Sequence, residues 1–211
     1  MPFSTIFFDL DETLYPASCG LWPALKGRID LYMQVRLGFT PEQILALRDR
    51  YFREYGTTLR GLQANHNVDR EDYLAFVHDV RLEDYIQPAP ELRLMLEALN
   101  AQKLIFTNAD APHAKRVIRT LGLDGCFTDI VDIHVVDPYC KPMREAFEIA
   151  LTRAGETDPR RCAIVDDLPS TTRAAHALGL FSVLLGENGS SEDADARLRR
   201  LVDLPKVLNG R

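Results

Sequence analysis

The sequence predicts an α/β protein: a parallel sheet flanked by helices, with an all-helical insert close to the N-terminus. Three observations predict it. Short apolar runs at Ile6–Phe8, Leu104–Phe106 and Ala163–Val165 each end in polar or acidic residues, which reads as buried parallel strands. From residue 89 onward such runs alternate with helical segments, the pattern of right-handed crossovers in a parallel sheet. Between residues 15 and 88 the apolar spacing is helical. The expected organisation is a core of residues 1–14 and 89–211 and a helical cap of residues 15–88, closing over the rim where the first strand ends.

In chain order, Trp22–Leu37 carries Leu25, Ile29, Tyr32, Met33 and Leu37 on one face and stops at Gly38. Thr40-Pro41-Glu42-Gln43 is a helix start, with Thr40 as N-cap and Gln43 completing a capping box. Ile44, Leu47, Tyr51 and Tyr55 continue that helix to Gly56, and Asp69 opens another. Arg60 and His66 fall in a loop-like part of the insert. Pro88-Ala89-Pro90 marks the return to the core. Then follow a helix at Glu91–Leu99, a strand ending in Thr107-Asn108, a helix at Ala111–Leu121, a strand at Ile130–Val136 and a helix at Met143–Ala154. The strand at Cys162 ends in Asp166-Asp167, a helix spans Pro169–Leu178, and Phe181–Leu185 is a last strand. Gly186–Ser191 reads as loop, and the tail from Glu192 as a charged amphipathic helix with an exposed end.

A chain of 211 residues, 46% hydrophobic and 27% charged, is long enough to bury a sizeable core. Its net charge of -6 argues against a nucleic acid or an anionic membrane as main partner, and no apolar run approaches membrane-spanning length. Cys19, Cys126, Cys140 and Cys162 show no CxxC spacing and read as reduced thiols, mostly in the core. With Met1 leading almost at once into the first strand, the expected location is the cytoplasm.

In a parallel sheet, chemistry sits beyond the carboxyl ends of the strands. The polar groups expected there are Asp9 and Asp11, Thr107 and Asn108, Lys141, and Asp166 and Asp167. Carboxylates that crowd one another call for a cation, and oxygen ligands suit magnesium. Thr107 and Asn108 supply donors for phosphate oxygens, and Lys141 a positive charge for those oxygens or for the attacking carboxylate. Together these groups suit phosphoryl transfer through an aspartyl-phosphate. Each also has a plainer reading: Asp166-Asp167 and Thr107-Asn108 as helix caps, Lys141 as a helix-start residue.

These residues resemble, in order, the four motifs of the haloacid dehalogenase-like superfamily: Asp9-Leu10-Asp11-Glu12-Thr13-Leu14, Thr107-Asn108, Lys141-Pro142 and Asp166-Asp167. The resemblance implies a doubly wound α/β core under a small helical cap. It implies Asp9 as nucleophile and Asp11 as acid and then base. It also implies magnesium held by Asp9, the backbone carbonyl of Asp11 and Asp167, with Asp166 beside them. A dehalogenase has no use for an acid two residues after its nucleophile, so Asp11 argues for phosphate ester hydrolysis. The runs Asp9–Pro16, Tyr55–Leu62, Ile105–Val117 and Cys140–Phe147 are similar to the pyrimidine 5′-nucleotidase branch, which implies a nucleoside monophosphate such as UMP or CMP as substrate.

Two departures stand out: Glu12 where many relatives have Gly, and Thr171 about where they have Asp or Asn. Arg60 and His66 are candidates for recognising the leaving group, and His113 is read as a satisfied core or surface residue. The expected partner is a small phosphorylated molecule, and the expected state a monomer or homodimer. A sugar phosphate, phosphoglycolate or a mutase substrate is the alternative chemistry. A phosphate-responsive interaction module is the alternative class.

Overall fold

Four successive buried residues, Thr5–Phe8, form strand β1. A strand buried on both faces needs backbone partners on both edges. In the computed structural model, which describes residues 3–186, 190 and 192–208, β1 pairs in parallel with β2 (Gln102–Phe106) and with β4 (Cys162–Asp166). Strand β3 (Asp129–Val131) lies outside β2, while β5 (Phe181–Leu185) and β6 (Ala196–Leu198) lie outside β4. The order is β3-β2-β1-β4-β5-β6, all parallel, with the connections reversing direction after β3. The carboxyl end of β1 is therefore beside the switch point of a doubly wound sheet, where such sheets bind ligands.

Alternation along the strands decides the packing. Phe7, Leu104, Phe106 and Ile164 share one apolar cluster with Phe147 and Ala150 of the crossover helix Arg144–Ala154. The Phe147 ring meets Phe106 edge-on, with centroids 5.3 Å apart. On the other face Phe8 meets Phe127 in the same manner at 5.8 Å. Each such ring removed from water contributes roughly 1.5–3 kcal/mol.

The chain divides into two compact units, Met1–Ala17 with Ile86–Arg211, and Ser18–Tyr85. The second is helical: α1 (Leu21–Leu37), α2 (Pro41–Tyr55), α3 (Thr58–His66) and α4 (Arg70–Val77). The capping box of α2 is formed: Gln43 N donates to Thr40 Oγ1 at 3.4 Å and Thr40 N to Gln43 Oε1 at 2.9 Å. Asp69 caps α4 by accepting from Asp72 N at 2.8 Å. Gly38 ends α1 at φ 71°, a left-handed cap that any other residue would strain.

The stretch holding Arg60 and His66 is helix, not the loop expected. Thr57 caps α3 by accepting from Arg60 N, and Gly61 lets α3 lie directly on α2. A β-carbon at Gly61 would overlap the buried Tyr51 ring, so close packing of the two helices imposes a glycine here.

Two further expectations are corrected. The third strand stops at Val131 rather than running to Val136. Asp132 Oδ1 accepts from His134 N at 3.1 Å and from Val135 N at 3.0 Å, turning the chain, while Oδ2 accepts from Ala111 N. Ile133 and Val136 are buried from within that turn, which is why the stretch reads as a strand. The tail is not a helix from Glu192: Ala196–Leu198 adds β6 to the open edge of β5. Asp195 secures it by accepting from Ser182 N at 2.9 Å. Of the expected loop Gly186–Ser191, residues 187–189 and 191 lie outside the described residues, as do 209–211 of the expected exposed end.

The core unit carries helices α5 (Pro90–Ala98), α6 (Ala111–Thr120), α7 (Arg144–Ala154), α8 (Pro169–Ala177) and α9 (Leu204–Leu208).

Candidate active site

Just beyond β1, Asp9 N donates to Val165 O at 2.9 Å, which extends the β1–β4 pairing by one residue and anchors Asp9 at the rim. Lys141 arrives from the loop before α7. Asn108 holds that loop at two points: its Nδ2 donates to Lys141 O at 3.0 Å and its Oδ1 accepts from Lys141 N at 2.8 Å. The side chain of Asn108, expected to face phosphate, thus acts here by placing Lys141. Lys141 Nζ then donates to Asp9 Oδ1 and to Asp166 Oδ2, each at 2.7 Å. Asp166 Oδ1 accepts from Leu168 N at 2.9 Å, so both oxygens of this fully buried carboxylate are occupied and it braces the turn into α8. Neither Asp167 nor Thr107-Asn108 caps the next helix: α8 has no side-chain cap, and Asp110 caps α6 by accepting from His113 N at 3.1 Å.

Carboxylate oxygens of Asp9, Asp166 and Asp167 lie within 4.8 Å of one another, against a single ammonium. Burial pushes the Asp9 carboxyl up to about 7; Lys141 opposes this and Asp166 adds to it. Asp167 is pushed up to about 8, first by burial and then by Asp9 and Asp166. Burial also works against the Lys141 charge, but Asp166 and Asp9 outweigh it and hold the ammonium well above its ordinary range. The cluster carries a surplus of negative charge on hard oxygen donors in a partly dry setting. That donor set fits a divalent cation such as magnesium.

The pH dependence follows. Asp9 and Asp167 bind protons more tightly folded than unfolded, so between 3.8 and about 8 these two groups hold more protons in the folded chain than in the unfolded one. Stability then falls as pH rises through that window. Thermal melts with chelator present are expected to shift downward from pH 5 to pH 8, and added magnesium to raise the melting temperature more at pH 8 than at pH 5. A magnesium increment independent of pH would contradict this account.

Thr107 Oγ1 accepts from Ala109 N at 3.0 Å, which leaves the hydroxyl hydrogen to donate elsewhere. Asp11 occupies the turn after β1, where Leu14 N donates to Leu10 O at 2.9 Å. Asp11 Oδ1 accepts from Tyr15 OH at 2.6 Å, and His113 Nε2 stands 3.3 Å from the same oxygen. Sequence reading missed both neighbours. Tyr15 lies within the run Asp9–Pro16 and His113 within the run Ile105–Val117, but nothing in their spacing brings them to one carboxylate.

Arg60 and His66 belong to α3 of the helical unit. Arg60 is buried and its Nη1 donates to Gln63 Oε1 at 3.2 Å; His66 Nε2 lies 2.7 Å from Tyr51 OH.

Residues 3–179 match the haloacid dehalogenase-like hydrolase family. The chain belongs to that family. Among curated proteins it is 31% identical over 192 residues to Phosphate metabolism protein 8 of Saccharomyces cerevisiae, covering 84% of this chain and 60% of that protein. The chain thus spans about three fifths of that relative's length. Among solved structures it is similar to the HAD-hydrolase YfnB of Bacillus subtilis bound to magnesium, with a TM-score of 0.66, 19% identity and coverage of 98% and 99% of the two chains. A predicted phosphoglycolate phosphatase from Haemophilus somnus gives a TM-score of 0.66 at 18% identity, covering 99% of each chain. At these identities the structures establish the shared fold.

Membership of the family makes Glu12 informative. Its φ of 60° is left-handed, a conformation glycine adopts without strain and other residues at a cost of roughly 1–2 kcal/mol. The glycine that the resemblance leads one to expect at this position would thus have a backbone cause. Glu12 also adds a small upward push on Asp167. Thr171 lies in the first turns of α8, its hydroxyl buried and without a hydrogen-bond partner among the described residues. No helix among the described residues is long and apolar enough to cross a membrane.

Proposed function

We propose that this hydrolase is a magnesium-dependent phosphatase that cleaves phosphate monoesters through an aspartyl-phosphate, with nucleoside monophosphates such as UMP or CMP as substrates. One observation carries the reading: Asp9, paired with Lys141 at 2.7 Å inside an acidic cluster, has a second carboxylate, Asp11, two residues further along the same turn. A nucleophile and an acid–base so spaced suit ester hydrolysis.

Lys141 holds Asp9 through Oδ1 and so presents Oδ2 as the attacking atom. Attack forms an Oδ2–P bond and breaks the bond from phosphorus to the ester oxygen, to which Asp11 gives its proton. Asp11, now a carboxylate, takes a proton from water, whose oxygen attacks phosphorus and frees Asp9 and inorganic phosphate. The Thr107 hydroxyl and the Lys141 ammonium supply donors to the phosphoryl oxygens. Asp9, Asp167 and the backbone carbonyl of Asp11 would hold magnesium. Asp166 stands beside them because both its oxygens are already engaged. The metal, when bound, supplies positive charge against the phosphoryl oxygens.

The nucleotide assignment draws on the motif runs; the yeast relative, named for phosphate metabolism, supports phosphate chemistry of either kind. Arg60 and His66 remain the candidates for contacting the leaving group. A cytoplasmic setting belongs to the same reading, supported by four free cysteines, three of them buried. A second reading, phosphoglycolate or a sugar phosphate, is favoured by the Haemophilus somnus neighbour.

A panel of mononucleotides, sugar phosphates and 2-phosphoglycolate, assayed for phosphate release, separates the two. We expect kcat/KM for UMP or CMP to exceed that for the others by about tenfold or more, and chelation to remove turnover. A preference for phosphoglycolate would replace the nucleotide assignment. A single turnover that leaves the chain phosphorylated would favour an interaction module.

A further inference from the structure

Building on the role proposed for Asp11, we infer that Tyr15 and His113 are positioning residues that clasp Asp11 through Oδ1 and thereby aim its other oxygen at the ester oxygen leaving phosphorus.

The geometry is convergent. Tyr15 OH donates to Asp11 Oδ1 at 2.6 Å, and His113 Nε2 approaches that same atom at 3.3 Å from helix α6. With its hydrogen on Nε2, the imidazole makes the second donation. The two side chains come from separate segments of the core unit, 98 positions apart in the chain, and meet at one atom.

Tyr15 is 2% exposed and His113 1%, sites where an apolar ring or a leucine would avoid desolvating a polar group. The N-terminus of α6 is already capped by Asp110, whose acceptance from His113 N uses the backbone and not the imidazole. The carboxylate they hold is itself partly open, with 17% of its side chain accessible, whereas a structural buried carboxylate such as Asp166 is closed off. Two buried donors have thus been spent on a carboxylate that still reaches solvent.

The consequence is mechanical. A lone Asp side chain on a turn rotates about two torsions, and a general acid is effective only when its oxygen lies within hydrogen-bond reach of the atom it protonates. Two donors on Oδ1 fix the carboxylate plane and leave the transferable proton to Oδ2. In the second half of the reaction the same restraint directs Oδ2 at the incoming water.

The distinguishing readout is dependence on leaving-group basicity. p-Nitrophenolate departs with little need of a proton, whereas phenolate needs one more. In kcat/KM, which reports the steps up to phosphoryl transfer to Asp9, Tyr15→Phe is expected to penalise phenyl phosphate about tenfold more than p-nitrophenyl phosphate. His113→Leu is expected to act in the same direction. His113→Gln, which keeps an N–H at similar reach, is expected to restore most of the lost ratio. Should His113→Leu fail to fold, His113→Asn, polar but shorter, carries the expectation instead. Equal loss on the two esters, or no loss, would show a packing role and overturn the inference while leaving the phosphatase reading intact. If the parent protein released phosphate from neither ester nor from any member of the substrate panel, the phosphatase reading would fail and the clasp with it.

Discussion

Replacement of Asp9 by Asn is expected to abolish phosphate release while leaving the fold in place. The amide is nearly the same shape as the carboxylate, and its carbonyl oxygen can still accept from Lys141 Nζ where Asp9 Oδ1 now does, at 2.7 Å. It cannot attack phosphorus. Removal of a catalytic nucleophile costs on the order of 10⁴-fold or more in kcat, with the remainder supplied by binding and charge stabilisation. Stability is expected to move the other way. Burial pushes the Asp9 carboxyl up to about 7, so at pH 8 the protein holds that charge at a cost. An amide carries no such cost, and the melting temperature of Asp9→Asn without metal is expected to equal or exceed the parent's at pH 8. Phosphate release and thermal melts on one preparation check both halves. Turnover of Asp9→Asn at the parent rate would end the case for a covalent mechanism.

Lys141→Met is expected to be the most damaging single change to the folded state. Lys141 is 4% exposed and is the shared partner of Asp9 and Asp166. Methionine fills similar volume but leaves those carboxylates buried beside Asp167 with no ammonium among them. Breaking a buried ion pair in this one-sided way costs about 3–5 kcal/mol. The loss should shrink as pH falls toward 5, because the raised carboxyls then take up protons and need no counter-charge. Urea denaturation at pH 5 and pH 8 measures the difference. Adding Asp166→Asn to Lys141→Met should recover part of the loss, since it removes one of the stranded charges. A loss that does not depend on pH would mean that packing of the lysine stem, not charge, is what the fold requires. Activity is expected to vanish in either case, because Lys141 also presents Asp9.

Much of this arrangement could be read from the chain alone, where each feature is local. β1, β2 and β4 announce themselves because strands buried on both faces have little choice but to be apolar throughout, and their ends show as an abrupt change to acids or Thr-Asn. The start of α2 is legible since Thr40 and Gln43 satisfy each other within one turn. What could not be read depends on partners far away in sequence. Apolar residues past Val131 look like more strand until Asp132 is seen to gather the amides of His134, Val135 and Ala111. Charged residues near the end look helical until the open edge of β5 is there to take Ala196–Leu198. The stretch with Arg60 and His66 looks like loop until Gly61 is seen to let it pack as a helix against Tyr51.

The sequence by itself determined the alternation of buried strands and helices, the early helical insert and the acids and lysine at the strand ends, because hydrophobic periodicity and capping are properties of neighbouring residues. Only the tertiary structure decided that Asn108 grips Lys141, that Asp166 is closed off while Asp167 is not, and that Tyr15 and His113 both reach Asp11. Asn108 and Lys141, like His113 and Asp11, lie tens of residues apart in the chain, and the distance between them is set when the sheet assembles.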